Sequence, residues 1–183
     1  MMTISPEDRS TLVSLARGAV ESAVCGNAPP SPDRTDGLFG EQRGCFVTLT
    51  NQGRLRGCIG TFSPTMALAR MIVEMGQAAA HDPRFPHDPI TPSELSELTV
   101  EVSVLSPLEK TTEPEKLEVG THGIYIVSQM GSGCFLPEVA TDMGWDAEQF
   151  LTQCCQSKAG IAPHAWREQA TKVYLFTSEK FDH

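Results

Sequence analysis

The sequence predicts an α+β fold, a mainly antiparallel sheet flanked by helices, and two observations carry that prediction. Strand-like runs come as hairpin pairs around short polar turns. Amphipathic helical stripes fall between these hairpins, without the regular strand–helix–strand alternation of a parallel sheet. At 183 residues with 40% hydrophobic content, residues 1–183 read as one domain with a substantial core and room for a smaller lobe.

Taken in order, Ser5 and Pro6 read as N-cap and first helical residue, Glu7 and Asp8 suit the first turn, and Leu12, Leu15, Ala16, Ala19, Ala23 and Val24 form one stripe. That helix stops near Gly26. Asn27 to Gly44, with three prolines and three glycines, reads as a long loop or flap. GCFVTLT (Gly44–Thr50) and RLRGCIGTF (Arg54–Phe62) flank the turn Asn51-Gln52-Gly53 and should pair as a hairpin. Ser63-Pro64 is a capping signal for a helix with the stripe Ala67, Leu68, Met71, Ile72, Met75 and Ala79. Pro83, Pro86 and Pro89 forbid regular structure in HDPRFPHDP, and Thr91-Pro92-Ser93-Glu94 opens a short helix.

Thr99 to Leu105 alternates with a period of two, so Val100, Val102 and Val104 face the core while Glu101 and Ser103 face away. After a polar connector, Ser106 to Gly120, the run HGIYIVSQM turns at Gly131-Ser132-Gly133 and returns as CFL, a second hairpin. Pro137 opens a short helix. Asp146 caps a longer one ending at Gly160, and Lys172 to Thr177 is the last predicted strand.

The charge balance, 14 basic against 23 acidic residues for a net −9, argues against nucleic acid as a partner. No apolar run is long enough to span a membrane and MMTISPEDRS lacks a signal-peptide pattern, so a cytoplasmic location is expected. The six cysteines, Cys25, Cys45, Cys58, Cys134, Cys154 and Cys155, include no CxxC spacing and read as free thiols. No cofactor and no metal is expected. His81, Asp82, His87 and Asp88 are metal-ligating types without a recognisable spacing.

RLRGCIGTFSP is the most chemically suggestive stretch. Strand alternation predicts Leu55 and Ile59 on the core side, with Arg54, Arg56 and Cys58 sharing the other. A guanidinium at Arg56 and a helix N-terminus after Ser63-Pro64 would then surround the Cys58 sulfur with positive potential. Gly57 and Gly60 would leave space over it. The alternative is an inert small residue in a crowded hairpin, since free cysteine is among the most buried types. His122 is a candidate base for the thiol, or else a partner of a backbone carbonyl. Glu101 is a candidate ion-pair partner of Arg56 or Arg84, or a substrate contact. Trp145 and Trp166 are expected to pack at a lobe junction.

RLRGCIGTF, DPRFP (Asp82–Pro86), EVSVLSP (Glu101–Pro107), VGTHGI (Val119–Ile124), LPEVA (Leu136–Ala140) and GWDAEQFL (Gly144–Leu151) together resemble the AMMECR domain family. Its prokaryotic members are called protein A of the AmmeMemoRadiSam system. The resemblance implies a larger lobe with an antiparallel sheet, a smaller lobe, and a cleft lined by the glycine-cysteine motif. It also implies a pathway shared with Memo-like and radical SAM proteins as partners. Carried over motif by motif, Arg56, Gly57, Cys58, Gly60, Asp82, Arg84, Glu101, His122 and Gly123 are the candidate site residues. Cys58 and His122 are the catalytic candidates and the others substrate-binding. The expected function is an enzyme or enzyme component using Cys58 in covalent or acid/base chemistry on a small anionic or peptide substrate. The alternative is a non-catalytic adaptor that binds those partner proteins through the same groove.

Overall fold

A computed structural model describes residues 3–182; Met1, Met2 and His183, the ends of the expected 1–183 domain, lie outside the described residues. Its architecture is the α+β one that the sequence predicts, with antiparallel pairing in both of its sheets. Chain contacts divide it into two units, residues 3–105 with 179–182, and Ser106–Ser178.

In the first unit, α1 (Pro6–Cys25) starts as predicted: Asp8 N–H donates to Ser5 Oγ at 3.1 Å, and Gly26 closes the helix at φ 70°. The sheet has the order β2-β1-β3-β8, from β1 (Cys45–Asn51), β2 (Arg54–Thr61), β3 (Leu98–Leu105) and β8 (Ser178–Asp182). One face of this sheet packs on α1 and α2 (Leu68–Ala80) through Val47, Leu49, Val100 and Val102, all fully buried with Leu12, Ala16 and Ile72. The loop over 27–44 is pinned to α1: Phe39 is buried, and the Arg34 guanidinium lies 4.2 Å from the Phe39 ring centroid while donating to Asp8 at 2.6 Å.

Two boundaries differ from the sequence reading. The helix expected from Ser63-Pro64 begins at Leu68, after Ala67, with no side-chain cap. Ser63 N–H instead bonds Thr61 Oγ1 at 3.1 Å, bending the chain, and Leu68 N–H is taken by the Glu41 carbonyl at 2.8 Å. The strand β8 was unread because its sequence, SEKFD, is short and charged, the pattern of an exposed edge strand.

The second unit holds β4 (Glu109–Thr111), β5 (Gly123–Val127), β6 (Ser132–Phe135) and β7 (Lys172–Phe176) in the order β4-β7-β5-β6. Its helices are α3 (Pro137–Met143) and α4 (Ala147–Cys154). The latter opens on an Asp146–Gln149 capping box and continues as a π-turn over Cys155–Ala159. Ile124, Ile126, Phe150, Leu151 and Cys154 form its core. Trp166 is buried there and Trp145 packs 5.8 Å from Phe135, so both tryptophans contribute to this unit's own core. No helix among the described residues is long and apolar enough to cross a membrane.

Candidate functional site

The Cys58 environment begins with the register of the first hairpin. Cys58 stands opposite Thr48, and Thr48 opposite Glu101 on β3, so the three form one row across the sheet. Because Cys45, Val47 and Leu49 point into the core, this row lies on the other face. Thr48 Oγ1 donates to Cys58 Sγ at 3.2 Å, and Lys180 Nζ stands 3.4 Å from Glu101 Oε1. Thr48 was not singled out from sequence, although counting back from the turn at Asn51-Gly53 would have found it.

A bulge changes what the alternation predicted. Leu49 pairs with Gly57 and Thr50 with Leu55, which leaves Arg56 without a partner and shifts every earlier residue of β2 to the opposite side. Leu55 therefore lies on the Cys58 face at 36% exposure and not in the core, as expected of it. Arg56 is not the neighbour of the sulfur either. Its buried guanidinium donates from Nε to Glu94 at 2.6 Å and from Nη1 to Asp88 at 2.9 Å. Nη2 reaches Glu94 Oε2 at 3.1 Å and the Asp88 carbonyl at 3.2 Å. The Glu94 hydrogen bond, ahead of the burial that opposes it, raises the Arg56 pKa, and the Arg56 bond correspondingly lowers that of Glu94. Arg56 ties β2 to the proline loop and to the 3-10 turn at Pro92–Glu97.

The cation beside Cys58 is Arg84. Cys58 sits on the outer strand of its sheet, and its N–H and carbonyl both point away from β1. Asp82 Oδ2 accepts that N–H at 2.9 Å, while Arg84 Nη2 donates to that carbonyl at 3.0 Å. Asp82 and Arg84 thus do for Cys58 what a neighbouring strand would do, and they block the sheet edge at this point. They also hold each other. Arg84 Nη2 donates to Asp82 Oδ2 at 2.6 Å, and Arg84 N–H and Nε each donate to Oδ1 at 3.0 Å. Pro83 between them fixes its own φ and keeps Asp82 out of the helical region that α2 has just left.

Asp82 is almost fully buried, yet its carboxyl is held well below the usual carboxylate range. The Arg84 hydrogen bond is the largest cause, and the backbone N–H groups of Cys58 and Arg84 add to it against the cost of burial. Arg84 is raised, chiefly by Asp82, with smaller contributions from the side chain of Cys58.

The glycines serve packing. A Cβ on Gly57 would come within 2.1 Å of the Ala79 carbonyl oxygen, so the last turn of α2 rests directly on β2. The helix end that meets this strand is therefore the C-terminal one, opposite in sign to the expected N-terminus. A Cβ on Gly60 would fall 2.2 Å from the Phe46 ring, which fills the space expected to be open. Glu101 faces Lys180 and not Arg56 or Arg84, the candidate ion-pair partners of the sequence reading.

His122 and Gly123 belong to the Ser106–Ser178 unit. Glu118 N–H donates to His122 Nδ1 at 3.0 Å, so a neutral ring carries its proton on Nε2 and has no free lone pair there. A Cβ on Gly123 would lie 2.4 Å from the Phe176 ring. The thiols differ in burial. Burial pushes Cys45 up to about 12 and Cys134 up to about 11, and raises Cys154 and Cys155 as well. Cys25 is exposed and Cys58 half-buried. No group of three or more histidine, cysteine or carboxylate side chains forms a metal-binding set among the described residues.

A two-unit α+β chain with a glycine-flanked cysteine clamped at a sheet edge defines the class. The AMMECR1 family model matches residues 13–181, and the chain belongs to that family. A protein of Methanothermobacter thermautotrophicus is 40% identical over 97% of this chain and 95% of its own length. Protein TK0174 of Thermococcus kodakarensis is 43% identical over all of this chain and 93% of its own. The crystal structure of uncharacterized protein PH0010 from Pyrococcus horikoshii matches at a TM-score of 0.86 and 38% identity, covering 98% of this chain and 93% of that one.

Proposed function

We propose that this AMMECR1-family protein is an enzyme or enzyme component that works through Cys58 on a small anionic or peptide substrate, in a cytoplasmic pathway shared with Memo-like and radical SAM proteins. The observation that carries the reading is the treatment of one thiol. Cys58 is half-buried on the outward face of its sheet, accepts a hydrogen bond from Thr48 at 3.2 Å, and has its own peptide group held by Asp82 and Arg84. A hydroxyl aimed at sulfur favours the negative charge that develops when the thiol acts as nucleophile, and a pinned peptide fixes where that sulfur points. His122 takes no part as a base while Glu118 occupies its Nδ1.

The test uses the exposed Cys25 as an internal standard. Alkylation of the intact protein by iodoacetamide, followed by peptide mapping across pH 6 to 9, should label Cys58 faster than Cys25 near neutral pH. Thr48→Val should slow it by roughly threefold, the scale of one net hydrogen bond. Equal or slower labelling of Cys58 would remove the reading.

A further inference from the structure

We infer that Arg84 is an oxyanion-binding subsite beside Cys58, so that the group presented to the sulfur belongs to a molecule carrying a carboxylate or phosphate. This rests on the reading of Cys58 as the reacting atom and narrows it to a substrate class. An arginine has five N–H donors. In Arg84 the Nε–H goes to Asp82, and Nη2 serves Asp82 and the Cys58 carbonyl. Nη1 has no oxygen acceptor among the described residues, the guanidinium also reaches the side chain of Cys58, and the Arg84 side chain is 55% exposed.

Two features separate this guanidinium from an ordinary surface arginine. The first is fixation: a carboxylate at 1% side-chain exposure grips one edge, so the free edge keeps its direction without further loss of side-chain freedom on binding. The second is attachment, because the same guanidinium is bonded to the peptide of Cys58, which fixes the subsite relative to the sulfur. Asp82 neutralises Arg84 from its Nε–Nη2 side and points no carboxylate oxygen at Nη1. With Nε and Nη2 both committed, Nη1 offers a charge-assisted donor to one oxygen of a carboxylate or phosphate. Arg56 supplies the contrast, since all three of its nitrogens are committed to Asp88 and Glu94.

Charged and neutral alkylating reagents of the same size test this directly. Iodoacetate carries a carboxylate where iodoacetamide carries an amide; with either, the sulfur–carbon bond forms as iodide leaves, and the thiol proton goes to solvent. The ratio of iodoacetate to iodoacetamide rates at Cys58 should exceed the same ratio at Cys25 by about tenfold at low salt, the scale of one charge-assisted hydrogen bond. Arg84→Gln should abolish the excess. Arg84→Lys, which keeps the charge but not the bonds that fix the guanidinium to Asp82 and Cys58, should keep less than half of it, while Cys25 is unchanged in both.

A Cys58 that labels quickly with both reagents but without the excess would overturn the subsite and leave the functional reading standing. If Cys58 labels with neither, the functional reading fails. The subsite is then judged by titrating inorganic phosphate against the ¹⁵N-detected side-chain resonances of the intact protein. Movement of Arg84 at millimolar phosphate supports it, and no movement overturns it. Circular dichroism of each variant confirms that it is folded.

Discussion

Two arginines attach β2 to the same proline loop, and they are built in opposite ways. Arg56 is buried, at 4% side-chain exposure, with carboxylates from Asp88 and Glu94 around it. Arg84 is more than half exposed and its buried partner is the acid. Inverting which member of the pair is buried changes what the pair does: a buried cation between acids is scaffold, whereas a buried acid beneath an exposed cation presents that cation outward. The difference lies in desolvation, because a buried charge needs its partners to remain folded, while an exposed one has hydration to fall back on.

The comparison breaks most visibly at Arg56. Arg56→Met leaves Glu94 and Asp88 facing one another across an apolar side chain, and removal of one member of a buried pair costs about 3–5 kcal/mol. Urea denaturation of the variant should show that loss; Arg84→Gln, which leaves the buried Asp82 carboxylate to backbone N–H groups alone, should also destabilise and in addition change Cys58 labelling. Unchanged Cys58 labelling in Arg84→Gln would show that both are scaffold.

This division was only partly legible in the sequence. The hairpins, the helices α1 and α4 and the alternation of β3 could be read because local signals agree with the fold there: Ser5 and Asp146 cap, Gly26 terminates, and Val100, Val102 and Val104 alternate. The role of Arg56 could not be read, because a single unpaired residue in β2 reverses the faces, and glycines in RLRGCIG hint at a bulge without fixing its position. Gly57 and Gly60 read as open space over the sulfur, whereas both are places of close packing. What approaches, the Ala79 carbonyl and the Phe46 ring, is a tertiary fact. The Asp82–Arg84 clamp was visible as DPRFP only through resemblance, since no local rule brings a proline loop to the edge of a strand formed earlier in the chain.

A second prediction sharpens the Asp82 side. A carboxyl whose pKa is lowered in the folded state contributes stability that is present above its unfolded value, about 3.9, and lost as pH falls below it. Asp82→Asn should therefore cost about 2–3 kcal/mol at pH 7, where a charged acceptor of several hydrogen bonds is replaced by a neutral one. The gap to the native chain should narrow as the pH is taken from 5 to 3. Urea midpoints at pH 7 and pH 3 check this, and a gap that is constant with pH would mean that Asp82 is not the group that titrates.

The smallest effect is expected at Glu101, where the sequence reading placed an ion pair or a substrate contact. Its partner is Lys180 at 3.4 Å, and both side chains are about one-third exposed, at 32% and 34%. Such pairs contribute under about 1 kcal/mol, so Glu101→Gln should leave the urea midpoint almost unchanged. Its charge nevertheless stands in the row of Cys58, one strand beyond Thr48. Removing it should raise the iodoacetate rate at Cys58 by no more than about threefold and leave the iodoacetamide rate alone, since a screened carboxylate repels only the charged reagent. A larger gain would identify Glu101, rather than the Arg84 edge, as the main control on which charge reaches the sulfur.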